Sequence, residues 1–341
     1  KLPDSDFIYY TGYGNLLVSA AEGFVFISGF LVGVVYKNKA LKLGIKKMYI
    51  LLLKRGFKVY LVSVLLTIFF SIFGIAFNYD FKLGDGILYN NFADIIVNAL
   101  LFKYFYGWAD ILSLYVPLIV ISPLILHLLF KKKLIYVLTA SLILWVLSIN
   151  NKECNYFCIS KFELLSWQLL FCLGLIFGFY KEKIISVFNY INKNNLLNVI
   201  IICIFLISFI LSFLFSFVYT NNIYNNFYYH FFNKYNVGIG RIITFFIWFY
   251  CFYFFVNRYK FQISKYLGWI YLTLGKNSLL SYSIQAFILY CVYFIYVPQN
   301  YFFSSVINII CIFLLVLSVK LLNKLKKCFK LVYSNNSIIH I

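Results

Sequence analysis

Nine long apolar runs, separated by short polar stretches, constrain this 341-residue chain more than any other feature. They lie at 15–36, 57–78, 110–130, 134–149, 163–180, 196–219, 239–256, 278–296 and 301–322. At about 1.5 Å of helical rise per residue, each approaches the ~30 Å hydrocarbon thickness of a bilayer. Backbone immersed in lipid must satisfy its own hydrogen bonds, so only helices or a closed barrel can cross. The runs do not alternate polar with apolar residues, which argues against a barrel. The expected fold is therefore all-α, a polytopic transmembrane helix bundle with about nine spans. Composition agrees: 63% of residues are hydrophobic and 12% charged, and the mean hydropathy of +0.88 lies outside the balance of a soluble domain. A further run, 92–105, is short for a span and reads as an interfacial helix within an external loop over 79–109.

The formal charge of +20 raises the question of nucleic acid, but its distribution points to a membrane instead. If the loops alternate, 23 of the 30 basic residues fall on one face, in 37–58, 131–133, 181–193, 258–276 and 320–330. The positive-inside rule makes that face cytoplasmic, with the N-terminus outside and a cytoplasmic tail over 323–341. The lipid bilayer is the expected partner and nucleic acid is not. Trp108 and the tyrosine-rich stretch 219–235 fall near the outer face, where amphipathic rings belong. The chain begins at Lys1 with an abrupt apolar pattern, so an upstream helix is expected to be missing, which would bring the count to ten. The eight cysteines mostly lie inside apolar runs, and none has zinc-ligand spacing. No metal site is expected.

Ionisable groups inside the runs carry the functional signal, because an isolated charge at mid-bilayer costs about 2.5–3.5 kcal/mol and needs a partner or a task. Glu22 shares a helical stripe with Phe26, Gly29 and Gly33, whose small residues form a packing face. Its carboxyl either serves a functional cavity or is hydrated at the outer interface. In 163–178, Trp167, Phe171, Gly174 and Gly178 repeat the arrangement, with Gln168 beside them. Trp167 and Gln168 suit sugar binding by stacking and amide hydrogen bonds; the plainer reading is a belt tryptophan and a packing glutamine.

Asp110 opens a run containing Tyr115, Pro117, Pro123 and His127, and as a helix-start acid it has a capping role available. Lys54, Arg55 and Lys58 begin the second run from the basic face, where they meet lipid phosphate or clamp a phosphate-bearing donor. Arg241 enters its run from the sparsely charged face. His127 and His230 lack any supporting spacing. No phosphate-binding loop, dinucleotide fingerprint, serine elbow or zinc-protease motif is present.

Five stretches, taken in order, resemble the OpgC family of membrane proteins, relatives of the acyltransferase type 3 group. They are SAAEGFVFISGFLVGVVY (19–36), KRGFKVY (54–60), DILSLYVPLIVISPLILHLL (110–129), ELLSWQLLFCLGLIFG (163–178) and LGKNSLLSYSIQ (274–285). The resemblance implies a ten-helix inner-membrane acyltransferase that succinylates osmoregulated periplasmic glucans. Its donor would be cytoplasmic acyl-CoA (succinyl-CoA or acetyl-CoA), its acceptor an external glycan hydroxyl, and it would bind no cofactor. The family's first helix, with an Arg-Gly pair and a histidine base, is absent from this chain.

Glu22, Arg55, Asp110, Tyr115, Trp167 and Gln168 are thus expected to line a cavity. Glu22 and Asp110 are the candidate catalytic groups, and Arg55, Tyr115, Trp167, Gln168 and Arg241 the candidate substrate-binding ones. The alternatives are a secondary transporter or lipid-linked glycan flippase, and an inactive remnant of the family.

Overall fold

The computed structural model describes residues 16–77, 91–106, 109–150, 158–159, 162–217, 231–295 and 300–336. Two compact units result, one of Leu16–Phe252 and one that includes Tyr253 onward. The first contains α1 (Ala20–Leu43), α2 (Ile45–Ala76), α3 (Phe92–Leu100), α4 (Asp110–Phe130), α5 (Leu134–Asn150), α6 (Leu164–Phe179), α7 (Lys181–Lys193) and α8 (Asn195–Phe217). Two short strands, β1 (Cys158–Ile159) and β2 (Phe162–Glu163), pair antiparallel before α6. The boundary falls within α9 (Ile239–Arg258), and the second unit holds α10 (Lys260–Lys276), α11 (Ser278–Ile295) and α12 (Tyr301–Asn336).

The helices fall where the apolar runs lie, but the expected span count is overturned. Among the described residues six helices are long and apolar enough to cross a membrane, or seven if a bent pair counts as one span, rather than nine or ten. The apolar parts of α5 (Leu134–Ile149) and α11 (Ser278–Val292) are too short. The helix α6 has 16 residues, about 24 Å at helical rise, and the chain turns by 90° into α7. Apolarity in a membrane protein reports exclusion from water, whether by lipid or by protein, and α6 is excluded by protein. Trp167, Leu170, Phe171 and Leu175 are fully buried. Its last turn is closed from inside the bundle, where the Lys37 ammonium donates to the Phe179 carbonyl at 2.7 Å. Two basic stretches expected as loops, 181–193 and 258–276, are largely the helices α7 and α10; α7 buries no residue.

Glycines set the seam between α1 and α6. A Cβ on Gly29 would collide with the Phe171 carbonyl, and one on Gly33 with the Leu175 carbonyl. Reciprocally, Gly174 abuts the Phe26 carbonyl and Gly178 the Phe30 carbonyl. Residue numbers rise together across the seam, so the two helices run parallel with their backbones touching. Beside it Phe26, fully buried, packs edge-on against Phe177, Phe245, Phe246 and Phe249 and ties α1 and α6 to α9.

The helix α2 shows the membrane arrangement of faces. Ser63, Thr67 and Ser71 are buried, whereas Phe57, Leu61 and Leu65 are exposed where lipid would be. Thr67 Oγ1 and Ser71 Oγ donate to the carbonyls one turn back, Ser63 Oγ donates to the Ala109 carbonyl at 3.4 Å, and Ser71 Oγ lies 3.2 Å from the Tyr104 hydroxyl.

Candidate functional site

The candidate site grows from the start of α1. Ser19 precedes the helix and Glu22 closes its first turn, so the carboxylate reaches back to the free donors of the N-terminus. Glu22 Oε2 accepts from the Ser19 N–H at 2.9 Å and the Ser19 hydroxyl at 2.5 Å. Its other oxygen accepts from Arg241 Nε at 2.6 Å. Glu22 and Arg241 are 0% and 1% exposed, which makes this a fully desolvated ion pair. Arg241 stands in the first turn of α9, where the helix dipole disfavours a cation, and Glu22 offsets it.

Arg241 also organises the segment leading into α9. Its Nη1 donates to the Phe232 carbonyl at 3.0 Å and its Nη2 to the Leu16 carbonyl at 3.3 Å. Two indoles hold the same segment: Trp167 Nε1 donates to Tyr235 O and Trp145 Nε1 to Val237 O, each at 3.1 Å. Between them Val237 sits at φ +46°, buried, in a region that costs a β-branched residue about 1–3 kcal/mol. The three donors, with the Gly238 N–H bonded to Asn233 O at 3.0 Å, hold the strained turn. Among the described residues, Asn236 Oδ1 is buried there with no hydrogen-bond partner. A buried acceptor without a donor is costly, and this one suits a hydroxyl donor.

A second polar network joins α5 to α6. Gln168 Nε2 donates to the Ser141 carbonyl at 2.7 Å and Gln168 Oε1 accepts from the Ser141 hydroxyl at 2.8 Å. Nearer the start of α6, Ser166 Oγ donates to Glu163 Oε2 at 2.8 Å and lies 2.7 Å from Ser148 Oγ. Burial pushes the Glu163 carboxyl, just ahead of α6, above its usual range, and the Ser166 hydroxyl pulls the other way.

Of the residues singled out by sequence, Glu22 and Arg241 are in direct contact, and Trp167 grips the segment Arg241 holds. Tyr115, also buried, packs edge-on against Phe24 of α1 at 5.2 Å between centroids. Gln168 engages α5. Arg55 lies apart on α2, half-buried, beside Gly56, whose neighbours are Ile119 and Val120 in the middle of α4. Lys54, Arg55 and Lys58 lie within α2, which starts at Ile45. Asp110 is the first residue of α4; its side chain, Trp108 and His230 lie outside the described residues. His127 packs near Tyr49.

Sequence reasoning missed Trp145, Asn236 and the Glu163 network. Ser141, Trp145 and Ser148 at helical spacing in one apolar run were the available signal.

Searches of curated proteins and of solved structures each found no match. A family model described as OpgC protein, by contrast, matches residues 10–327. With nearly the whole chain covered, this multi-pass membrane protein belongs to the OpgC family.

Proposed function

We propose that the protein transfers an acyl group, succinyl or acetyl, from acyl-CoA on its lysine-rich cytoplasmic face to a hydroxyl of a glycan on the outer face. Family membership supports a general acyltransferase-type function. The observation that carries the finer reading is the unsatisfied Asn236 Oδ1, set in a strained turn that Arg241, Trp145 and Trp167 hold in place. A sugar hydroxyl that reached this oxygen by local opening of the turn would donate to an acceptor already fixed in direction.

In the proposed reaction the hydroxyl oxygen attacks the thioester carbonyl, a C–O bond forms, the C–S bond breaks, and the thiol leaves with the proton the hydroxyl lost. Proton removal needs a base with a free lone pair in reach. Glu22 is committed to Arg241 and Ser19 and serves as a positioning group, which makes Asp110 the acid to test as base. Arg55 with Lys54 and Lys58 supplies the cations for an anionic donor, Tyr115 packs on α1 through Phe24, Trp167 holds the turn before α9, and Gln168 fixes α5 against α6.

Purified protein in liposomes, given labelled succinyl-CoA or acetyl-CoA and a glucan acceptor, is expected to esterify the glucan. Asp110→Asn abolishes transfer, and Asn236→Ala lowers kcat/KM by about fivefold to tenfold, the size of one lost hydrogen bond. Uptake of labelled glycan by vesicles without any acyl donor, together with no ester formation, overturns the reading in favour of transport.

A further inference from the structure

A groove opens on the outside of the first unit. It lies between α4 and α5 on a floor supplied by α6, with a volume of about 190 Å³. Its rim is exposed at Leu124, Tyr136 and Leu144, while Ser141, Phe171 and Cys172 are buried at its base. From Leu118 to Leu128 it follows ten residues of α4, about 15 Å at helical rise.

The end of the groove at Leu128 and Tyr136 meets the turn Lys131–Lys132–Lys133, which joins α4 to α5. That turn has the bonding of a Schellman cap: Lys133 N–H donates to Leu128 O at 2.9 Å and Lys132 N–H to Leu129 O at 3.0 Å. The position that glycine ordinarily fills is Lys132, at φ +59°, so a side chain stands where the backbone favours none. All three lysines are exposed. The Lys133 ammonium lies 5.5 Å from the centre of the Tyr136 ring. Lys131, Lys132 and Lys133 form no ion pair among the described residues, and α4 and α5 contain no acid apart from Asp110 at the opposite end. Three cations without a counter-charge cap one end of an apolar trough.

We propose that this groove binds one acyl chain of an anionic phospholipid, whose phosphate is held by Lys131, Lys132 and Lys133. The chain covers Ser141 and Cys172, and the head group supplies the missing negative charge. The proposal rests on observations separate from the acyl-transfer reading, although Gln168, which fixes α5 against α6 through Ser141, also lines the groove.

The test is native mass spectrometry of the full chain released from nanodiscs of equal phosphatidylglycerol and phosphatidylcholine. The wild-type chain is expected to retain one phosphatidylglycerol in preference to phosphatidylcholine by on the order of tenfold. Lys132→Gly lowers that ratio while relieving the backbone, so its thermal stability holds or rises and misfolding does not account for the loss. The combined Lys131→Ala, Lys132→Gly, Lys133→Ala protein brings the ratio close to one. Ala140→Trp, at an exposed groove position, displaces the lipid. An unchanged ratio in the triple variant overturns the proposal, and so does undiminished lipid in Ala140→Trp. A photoreactive residue at 140 that cross-links to a second copy or another protein, rather than to lipid, also overturns it.

Discussion

Gly174→Val will leave little folded protein, because the substitution acts against backbone rather than side chains. At this position a Cβ collides with the Phe26 carbonyl and approaches the Phe30 nitrogen at 3.1 Å. Neither atom can rotate away, so α1 and α6 must separate. Overpacking against movable side chains costs about 1–3 kcal/mol. Opening a seam in which Gly29, Gly33, Gly174 and Gly178 nest reciprocally breaks the contact for its whole length, and a loss beyond about 4 kcal/mol is expected. Gly23→Ala is the internal control. It lies in the same helix with nothing within 4 Å of an added Cβ, so it should be neutral or gain up to about 1 kcal/mol from helix propensity. Thermal unfolding of detergent-purified protein separates the two. Equal stability of Gly174→Val and Gly23→Ala would show that the helices are not in backbone contact.

The second large effect belongs to Glu22 and Arg241. Removing one partner strands the other charge without solvent, which costs about 3–5 kcal/mol, so Glu22→Leu and Arg241→Met should each lose about that much in the same assay. The double variant will recover only part. It removes both charges, yet the Phe232 and Leu16 carbonyls and the Ser19 donors lose their partners. Arg241→Lys will not rescue, since one ammonium cannot reproduce a guanidinium that donates from three nitrogens in three directions. Losses that simply add in the double variant would mean that the two side chains do not interact.

The helices were legible because lipid and protein interior both demand apolar residues, and the chain marks them off with lysines. The same physics hid the number of spans. Burial in protein makes α6 as apolar as a lipid-facing helix, so composition could not show that its 16 residues are too short alone and count as a span only together with α7 across a 90° bend. The glycine stripes of α1 and α6 were visible as packing faces, but that each is the other's partner is a non-local fact. For the candidate site, Glu22 and Arg241 stood out singly as costly charges; their meeting across 219 positions did not. The S-x-x-E capping pattern at Ser19–Glu22 and the four-residue spacing of Ser63, Thr67 and Ser71 were cues present in the chain that the sequence reading did not use. Val237 offered no cue: a β-branched residue at positive φ is imposed by Trp145 and its neighbours, not preferred by the residue.

The parallel seam between α1 and α6 has a consequence for the order in which the protein is made. A ribosome delivers α1 before α6, so its backbone groove stays empty until α6 arrives, and Glu22 has no guanidinium until α9 follows. Until then α1 must reside among lipids or translocation machinery with a carboxyl whose membrane insertion as an ion costs roughly 2.5–3.5 kcal/mol. Biogenesis therefore favours keeping that carboxyl close to the bilayer surface until synthesis has passed residue 241.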